Sequence, residues 1–263
     1  MKFVRSRANP LYRTFLRLKD SLRERRRSNS TLLDGAQLIA THLGHRGRIL
    51  ALAVSEDALG SAQVEGLVTG IGGVEPVVFP AALFRDISSV TTPSGVVAVV
   101  PIPQAPRLSP EVECAVLLEG IQDPGNLGAI LRTAAAAGVR HALLSAGCAD
   151  AWSPRVLRAA MGAHALLTIA ERTDLVSYAR AYAGQVVACD AASAKSIYEI
   201  DLTVPAVFAF GNEGAGLSPA LKAEADIAAA IPMSRGVESL NVGAAVAVCL
   251  FERARQIRAR ALR

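Results

Sequence analysis

Apolar positions recur at helical spacing near the start of the chain, at Leu11, Phe15, Leu18 and Leu22, with arginines between them. That period predicts one amphipathic helix over residues 10–25. Short apolar runs follow. Residues 32–40 fit a strand leading into a helix, 49–54 a buried strand, 77–79 another, 81–87 a short helix and 95–100 a closing strand. Beyond residue 110 the alternation becomes regular. Strands are expected at 114–118, 141–144, 166–169, 186–189, 206–210 and 227–231, and helices at 127–137, 154–161, 175–183, 219–223 and 240–258. Continuous apolar runs mark strands buried on both faces. The pattern therefore implies an α/β fold whose mostly parallel sheet is covered by helices.

Between the two sets, Pro101-Ile-Pro-Gln-Ala-Pro106 holds three prolines in six residues. Proline favours extended backbone, so this stretch reads as a semi-rigid linker. It predicts domains at 1–105 and 106–263, and two domains are natural for 263 residues. The chain is 51% hydrophobic but only 5% aromatic, which suits small residues packing helices closely on a sheet. Its net charge of +5 is unevenly placed. Residues 1–27 hold ten Lys/Arg against two acids, and residues 252–263 five Arg against one Glu, which leaves the interior acidic. Basic ends suit a polyanionic partner, because cations that neutralise phosphates release condensed counterions. Arg13, Arg25, Arg26 and Arg27 are the candidate contacts. A membrane-surface helix is disfavoured, since Asn9 and Pro10 interrupt the apolar face and the arginine run puts charge all round the helix end.

The four cysteines form no CxxC pair, so neither a disulfide framework nor a zinc site is expected. Three of them lie in apolar surroundings and read as small core residues. The basic N-terminus is followed by no apolar stretch, and no run approaches the ~18–20 apolar residues that span a bilayer. A cytoplasmic protein without a metal is the expectation.

Candidate chemistry sits in three segments, each at a junction of strand with loop or helix. Such strand ends are where α/β sheets hold ligands. The first is Asn126-Leu-Gly-Ala-Ile-Leu-Arg132, where Asn126 fits a helix cap and Arg132 points back toward the sheet edge, or else is an ordinary surface arginine. The second is Phe210-Gly-Asn-Glu-Gly-Ala-Gly216, three glycines in six residues after an apolar strand. Its G-x-x-G-x-G spacing is not the dinucleotide fingerprint, and it lacks the Lys-Ser/Thr of a phosphate loop. Glu213 in such a loop suits a cationic or hydrogen-bond-donating ligand. The third runs from Ile231-Pro-Met233 to Ser239-Leu-Asn241. Its mixture of apolar and polar residues suits an adenosine-sized ligand.

Together and in this order, the three segments resemble those of the SpoU/TrmH family of S-adenosylmethionine-dependent RNA ribose 2′-O-methyltransferases. The resemblance implies a SPOUT-type α/β domain with a deep trefoil knot, and S-adenosylmethionine as cofactor. It implies cofactor contacts at Gly211, Ile231 and Leu240, with Phe210, Gly216 and Met233 beside them. Asn126, Arg132, Glu213, Ser239 and Asn241 match the family's positions for substrate and catalysis. Arg132 would then help deprotonate the ribose hydroxyl; because guanidinium stays protonated, it would act by gripping phosphate and stabilising developing charge. Glu213 would orient Arg132 or accept a proton through water. A homodimer through the C-terminal domain is also implied.

Residues 1–105 resemble the family's L30e-like RNA-binding module, through Asn9-Pro10, the arginine run, Leu33-Asp-Gly35 and Pro93-Ser-Gly95. Two departures stand out: Asp34 where Glu is usual, and Gly243 where many members carry Ser. Ribosomal RNA is the expected substrate. Transfer RNA and a catalytically idle RNA-binding protein of the same fold are the alternatives.

Overall fold

The computed structural model describes residues 1–104 and 108–262. Its first elements are β1 (Lys2–Phe3), α1 (Pro10–Asp20), α2 (Leu22–Ser28), β2 (Ser30–Asp34), α3 (Ala36–Gly44), β3 (Ala51–Ser55), α4 (Ala62–Gly70), β4 (Val77–Phe79), α5 (Ala81–Ile87) and β5 (Val96–Pro101). There follow β6 (Cys114–Leu118), α6 (Pro124–Ala136), β7 (His141–Leu144), α7 (Pro154–Ala160), β8 (Thr168–Ala170), α8 (Leu175–Ala181), β9 (Gln185–Cys189), β10 (Ala206–Phe210), α9 (Pro219–Ala223), β11 (Ile227–Ala229) and α10 (Val242–Ala261). No helix among the described residues is long and apolar enough to cross a membrane.

These elements form two compact units. One comprises Met1–Gln104 with Trp152–Ala165; the other comprises the described residues of Ala105–Ala151 and Leu166–Arg263. The boundary expected at 105/106, with the end of the proline-rich stretch, lies outside the described residues. A boundary at the proline-rich stretch places 154–161 in the second unit, whereas these residues belong to the first. Leu157 of α7 joins the apolar cluster of the first unit, and Thr31 Oγ1 of β2 donates to the Trp152 carbonyl. Local periodicity reports that a helix has an apolar face, not which sheet receives it.

In the first unit the sheet order is β1-β4-β3-β5-β2. β1, β4 and β3 run parallel, while β5 is antiparallel to both β3 and β2. Successive side chains on a strand point to opposite faces. Leu32, Val97 and Val99 accordingly pack with Tyr12, Phe15 and Leu18 of α1 and Phe84 of α5. Their neighbours Leu33, Val96 and Ala98 pack on the other face with Ile39 of α3, Val64 of α4 and Leu157. Two elements escaped the sequence reading. β1 is only two exposed residues, and α4 carries two glycines and buries Val64 alone.

The single helix expected over 10–25 is two. At Ser21 the backbone is extended (φ −117°, ψ 111°), and its hydroxyl accepts from Glu24 N to start α2 afresh. The apolar stripe therefore stops at Leu18, and Leu22 is exposed. The break also reassigns Arg25. Expected to meet substrate beside Arg26 and Arg27, it is buried, and its guanidinium donates to the carbonyls of Leu18 (2.7 Å) and Lys19 (3.0 Å) at the end of α1. Carbonyls at a helix end lack intrahelical donors, and Arg25 supplies one.

The second unit holds a wholly parallel sheet, order β11-β9-β10-β6-β7-β8. Ala115 and Leu117 of β6, with Val207 and Ala209 of β10, face a cluster that includes Leu175 and Ala179 of α8. On the other side α6 packs along α10. The helices start at side-chain caps: Asp123 before Pro124, Asp174, Ser218 before Pro219, and Asn241. Proline after the cap is favourable because its missing N–H is one that would lack a partner.

Arg25→Ala is expected to lower the unfolding free energy by about 2–3 kcal/mol, the worth of charge-assisted bonds to carbonyls left without a donor. Arg26→Ala, at an exposed position, should shift it by less than about 0.5 kcal/mol. Urea unfolding at constant slope reads both; two equal, small shifts would contradict the capping role.

Candidate active site

The carboxyl ends of the parallel strands converge at the centre of the second sheet. From β6 the chain proceeds outward to β7 and β8, then crosses to β9, which lies beyond β10. The strand order thus reverses beside β6 and β10, the position at which open α/β sheets form a ligand crevice.

The loop leaving β10 is folded tightly against itself. Asn212 N donates to Gly216 O (3.1 Å), and Gly216 N returns a bond to Asn212 O (2.9 Å). A β-carbon on Gly211 would lie 2.1 Å from the Gly216 carbonyl carbon, so only glycine permits this approach. Asn212 holds the loop from within. Its Oδ1 accepts from Gly214 N (2.9 Å) and Ala215 N (3.0 Å), while its Nδ2 donates to Gly120 O (2.8 Å) just past β6. Glu119 completes the anchorage by accepting from the Ser218 amide and hydroxyl, each at 2.7 Å.

A second set of bonds joins the three segments singled out in the sequence. The α6 helix begins at Pro124, one residue after its cap Asp123, whose Oδ1 accepts from Asn126 N (2.7 Å). The capping role expected of Asn126 therefore belongs to Asp123. This releases the Asn126 amide, which donates from Nδ2 to Glu213 Oε1 (2.9 Å) and accepts at Oδ1 from Asn241 Nδ2 (2.9 Å). Asn241 in turn caps α10, its Oδ1 accepting from Gly243 N (2.9 Å) and Ala244 N (3.3 Å).

Beside this network lies a cavity of about 350 Å³, within the range of small-molecule sites. Phe210, Gly211, Gly216, Ile231, Met233 and Leu240 all line it, as do Glu213 and Ser239. Ile231 reaches it because β11 ends at Ala229, two residues short of the strand expected. The lining includes the carboxylates of Asp190, Glu213 and Glu238 and, among the described residues, no Lys or Arg. The hydrogen bond from Lys222 holds the Asp190 carboxyl below its ordinary range, at a contact of 2.5 Å. Cys189, also on the wall, lies 3.7 Å from Cys249, and burial pushes its thiol well above its ordinary value.

Arg132 stands apart. It is exposed on α6 and makes no hydrogen bond or ion pair among the described residues. Glu213 is held by Asn126 and not by Arg132. Ser239 lines the cavity without a side-chain partner among the described residues. Of the other expected substrate contacts, Arg13 and Arg26 are exposed, and Arg27 pairs with Glu24 at 2.7 Å. Sequence reasoning overlooked Asn212 and Asp190. The signal was present in both: each is the first side chain with a polar group after an apolar strand at the carboxyl edge. Among the described residues, no group of three or more His, Cys, Asp or Glu could hold a metal ion.

Residues 113–251 match the SpoU rRNA Methylase family. An uncharacterised tRNA/rRNA methyltransferase of Synechocystis is 33% identical, over 96% of this chain and 93% of its own length. The Bacillus subtilis 23S rRNA (guanosine(2553)-2′-O)-methyltransferase RlmP is 28% identical, over 95% and 98% of the two chains. The crystal structure of an AdoMet-bound rRNA methyltransferase from Sinorhizobium meliloti superposes with a TM-score of 0.84 at 32% identity, covering 97% of this chain and 98% of that one. Agreement over nearly the full length, on a chain whose three segments are joined by the side chains of Asn126, Glu213 and Asn241, means that this protein belongs to the SpoU rRNA methylase family.

Proposed function

We propose that this protein transfers a methyl group from S-adenosylmethionine to the 2′-oxygen of a ribose in RNA, with ribosomal RNA as substrate. The observation that carries this reading is the cavity itself. Its volume, its apolar wall of Phe210, Ile231, Met233 and Leu240, and the carboxylates of Glu213 and Glu238, which unlike Asp190 have no cationic partner among the described residues, suit an adenosine bearing a positively charged sulfonium. Gly211, Gly214 and Gly216 offer backbone groups at the cavity wall. Bound S-adenosylmethionine supplies an electrophilic methyl group. The AdoMet-bound state of the similar Sinorhizobium meliloti structure accords with this cofactor.

The chain's own residues supply position and charge. Placing two reactants in line can contribute up to ~7–11 kcal/mol of barrier reduction. Asn126 holds Glu213 with one end of its amide and Asn241 with the other, and so fixes the rim on which the ribose is received. Glu213 keeps Oε2 without a partner among the described residues, available to the 2′-hydroxyl proton directly or through water. Arg132 grips the phosphate next to the target ribose with its planar guanidinium fork and stabilises the negative charge that develops on the 2′-oxygen. Its lack of an internal partner leaves it free for that role. Ser239 offers a hydroxyl at the same wall.

The finer features implied by the family belong to the same reading. The segments after β10 and β11 form a deep trefoil knot around the cofactor, the first unit is an L30e-like RNA-binding module, and the second unit pairs with a second copy. Support for pairing comes from α10, where Phe251 is 50% exposed on a helix that packs along α6, the element bearing Arg132. A large aromatic left in water on a helix is an ordinary anchor for a partner.

Arg132→Ala is expected to lower methyl transfer by about 10²–10³, as loss of a charge-stabilising donor does, while titration calorimetry finds S-adenosylmethionine affinity unchanged. Equal loss of binding and transfer would instead make Arg132 structural. Phe251→Glu should convert the protein to monomers in sedimentation equilibrium without lowering its melting temperature. A wild-type protein that sediments as a monomer, or a variant still dimeric, would refute pairing through this helix.

A further inference from the structure

Arg25 is turned inward and Arg27 is paired, but another group of cations stands together in the first unit. It lies between α1 and α5, where Arg7, Tyr12, Arg13, Leu16, Lys19, Arg85 and Asp86 line an open groove of about 600 Å³. Four cations face one carboxylate, and that carboxylate is already engaged. Asp86 Oδ2 accepts from Tyr12 Oη (2.8 Å) and from Arg7 Nη2 (2.9 Å). The Tyr12 bond first, and Arg7 after it, hold its carboxyl below the ordinary range, so it stays ionised and occupied. Lys19 Nζ donates to the Asp86 carbonyl at 2.5 Å, which fixes its ammonium at the groove. Arg13 and Arg85 are exposed and have no partner among the described residues.

We propose that this groove binds the phosphodiester backbone of RNA, with Arg13 and Arg85 gripping phosphates and Lys19 and Arg7 supporting them from the wall. The inference rests on the RNA-methylating function above and locates a second contact, on the unit that lacks the cofactor cavity. The chemistry selects the ligand. A free guanidinium presents a planar fork that matches two phosphate oxygens, and two such forks on separate rigid helices suit successive phosphates of a polymer. An apolar partner is disfavoured, because Leu16 is only partly exposed and Tyr12 is 3% exposed. A protein interface or a lipid surface needs an apolar centre that the groove does not offer.

The test compares two double variants with wild type, using a labelled single-stranded oligoribonucleotide over a range of salt concentrations. Arg13→Gln with Arg85→Gln should reduce the slope of log affinity against log salt by about 1.4, since each phosphate contact on a single strand contributes ~0.7. At 0.1 M salt that corresponds to an affinity loss of about 25-fold. Arg46→Gln with Arg48→Gln removes the same charge from the exposed loop before β3 and should leave the slope unchanged. Melting temperature should hold for the groove variant, because neither arginine has a partner to lose. Equal slope changes in both variants, or none in the groove variant, would overturn the inference. So would binding of wild type to phosphatidylserine vesicles that the groove variant loses while its RNA affinity persists. If wild type binds no RNA at any salt, the proposed function itself fails, a result distinct from a groove variant that still binds normally.

Discussion

One side-chain amide ties the site together. Asn126 donates to Glu213 in the loop after β10 and accepts from Asn241 at the head of α10, so segments separated by 87 and 115 residues meet at a single group. Each bond is worth only about 0.5–1.5 kcal/mol net. Its importance is geometric, because an amide cannot satisfy both neighbours unless all three backbones are in register. Asp123 makes this possible by taking over the helix cap. Asn212 does similar work one layer deeper, linking the glycine loop to the end of β6.

Charge is partitioned around that frame. The cavity wall carries Asp190, Glu213 and Glu238, whereas Arg132 and the groove arginines stand outside it. A positively charged cofactor and a negatively charged polymer therefore approach different electrostatic surfaces.

Most strands were legible because continuous runs such as 114–118 and 206–210 have only one comfortable place, the middle of a parallel sheet. The three candidate segments were legible together and in order, through their resemblance to a known family, because each alone admits a cap or a tight turn as well as a ligand. Other features depended on distance in space. Asp123 and Asn126 are both good capping residues, and composition does not choose between them. Three adjacent arginines read as candidate contacts to a polyanion, yet helical spacing turned Arg25 inward while Arg26 and Arg27 stayed in water. The fresh start of α2 at Ser21 depended on one extended residue that apolar spacing does not register. Arg132 lies on α6 as expected, but the partner of Glu213 is the Asn126 amide and not the guanidinium.

The excursion of residues 152–165 back into the first unit has a consequence for how the protein can be divided. Leu157 fills part of one face of the first sheet, beside Leu33, Ile39 and Val96. A fragment that stops at Gln104 would leave that face open to water and deprive the Thr31 hydroxyl of the carbonyl it serves. The two halves are thus woven through a shared strand of chain, and severing them at the proline-rich stretch would yield an unfinished module, not an autonomous one.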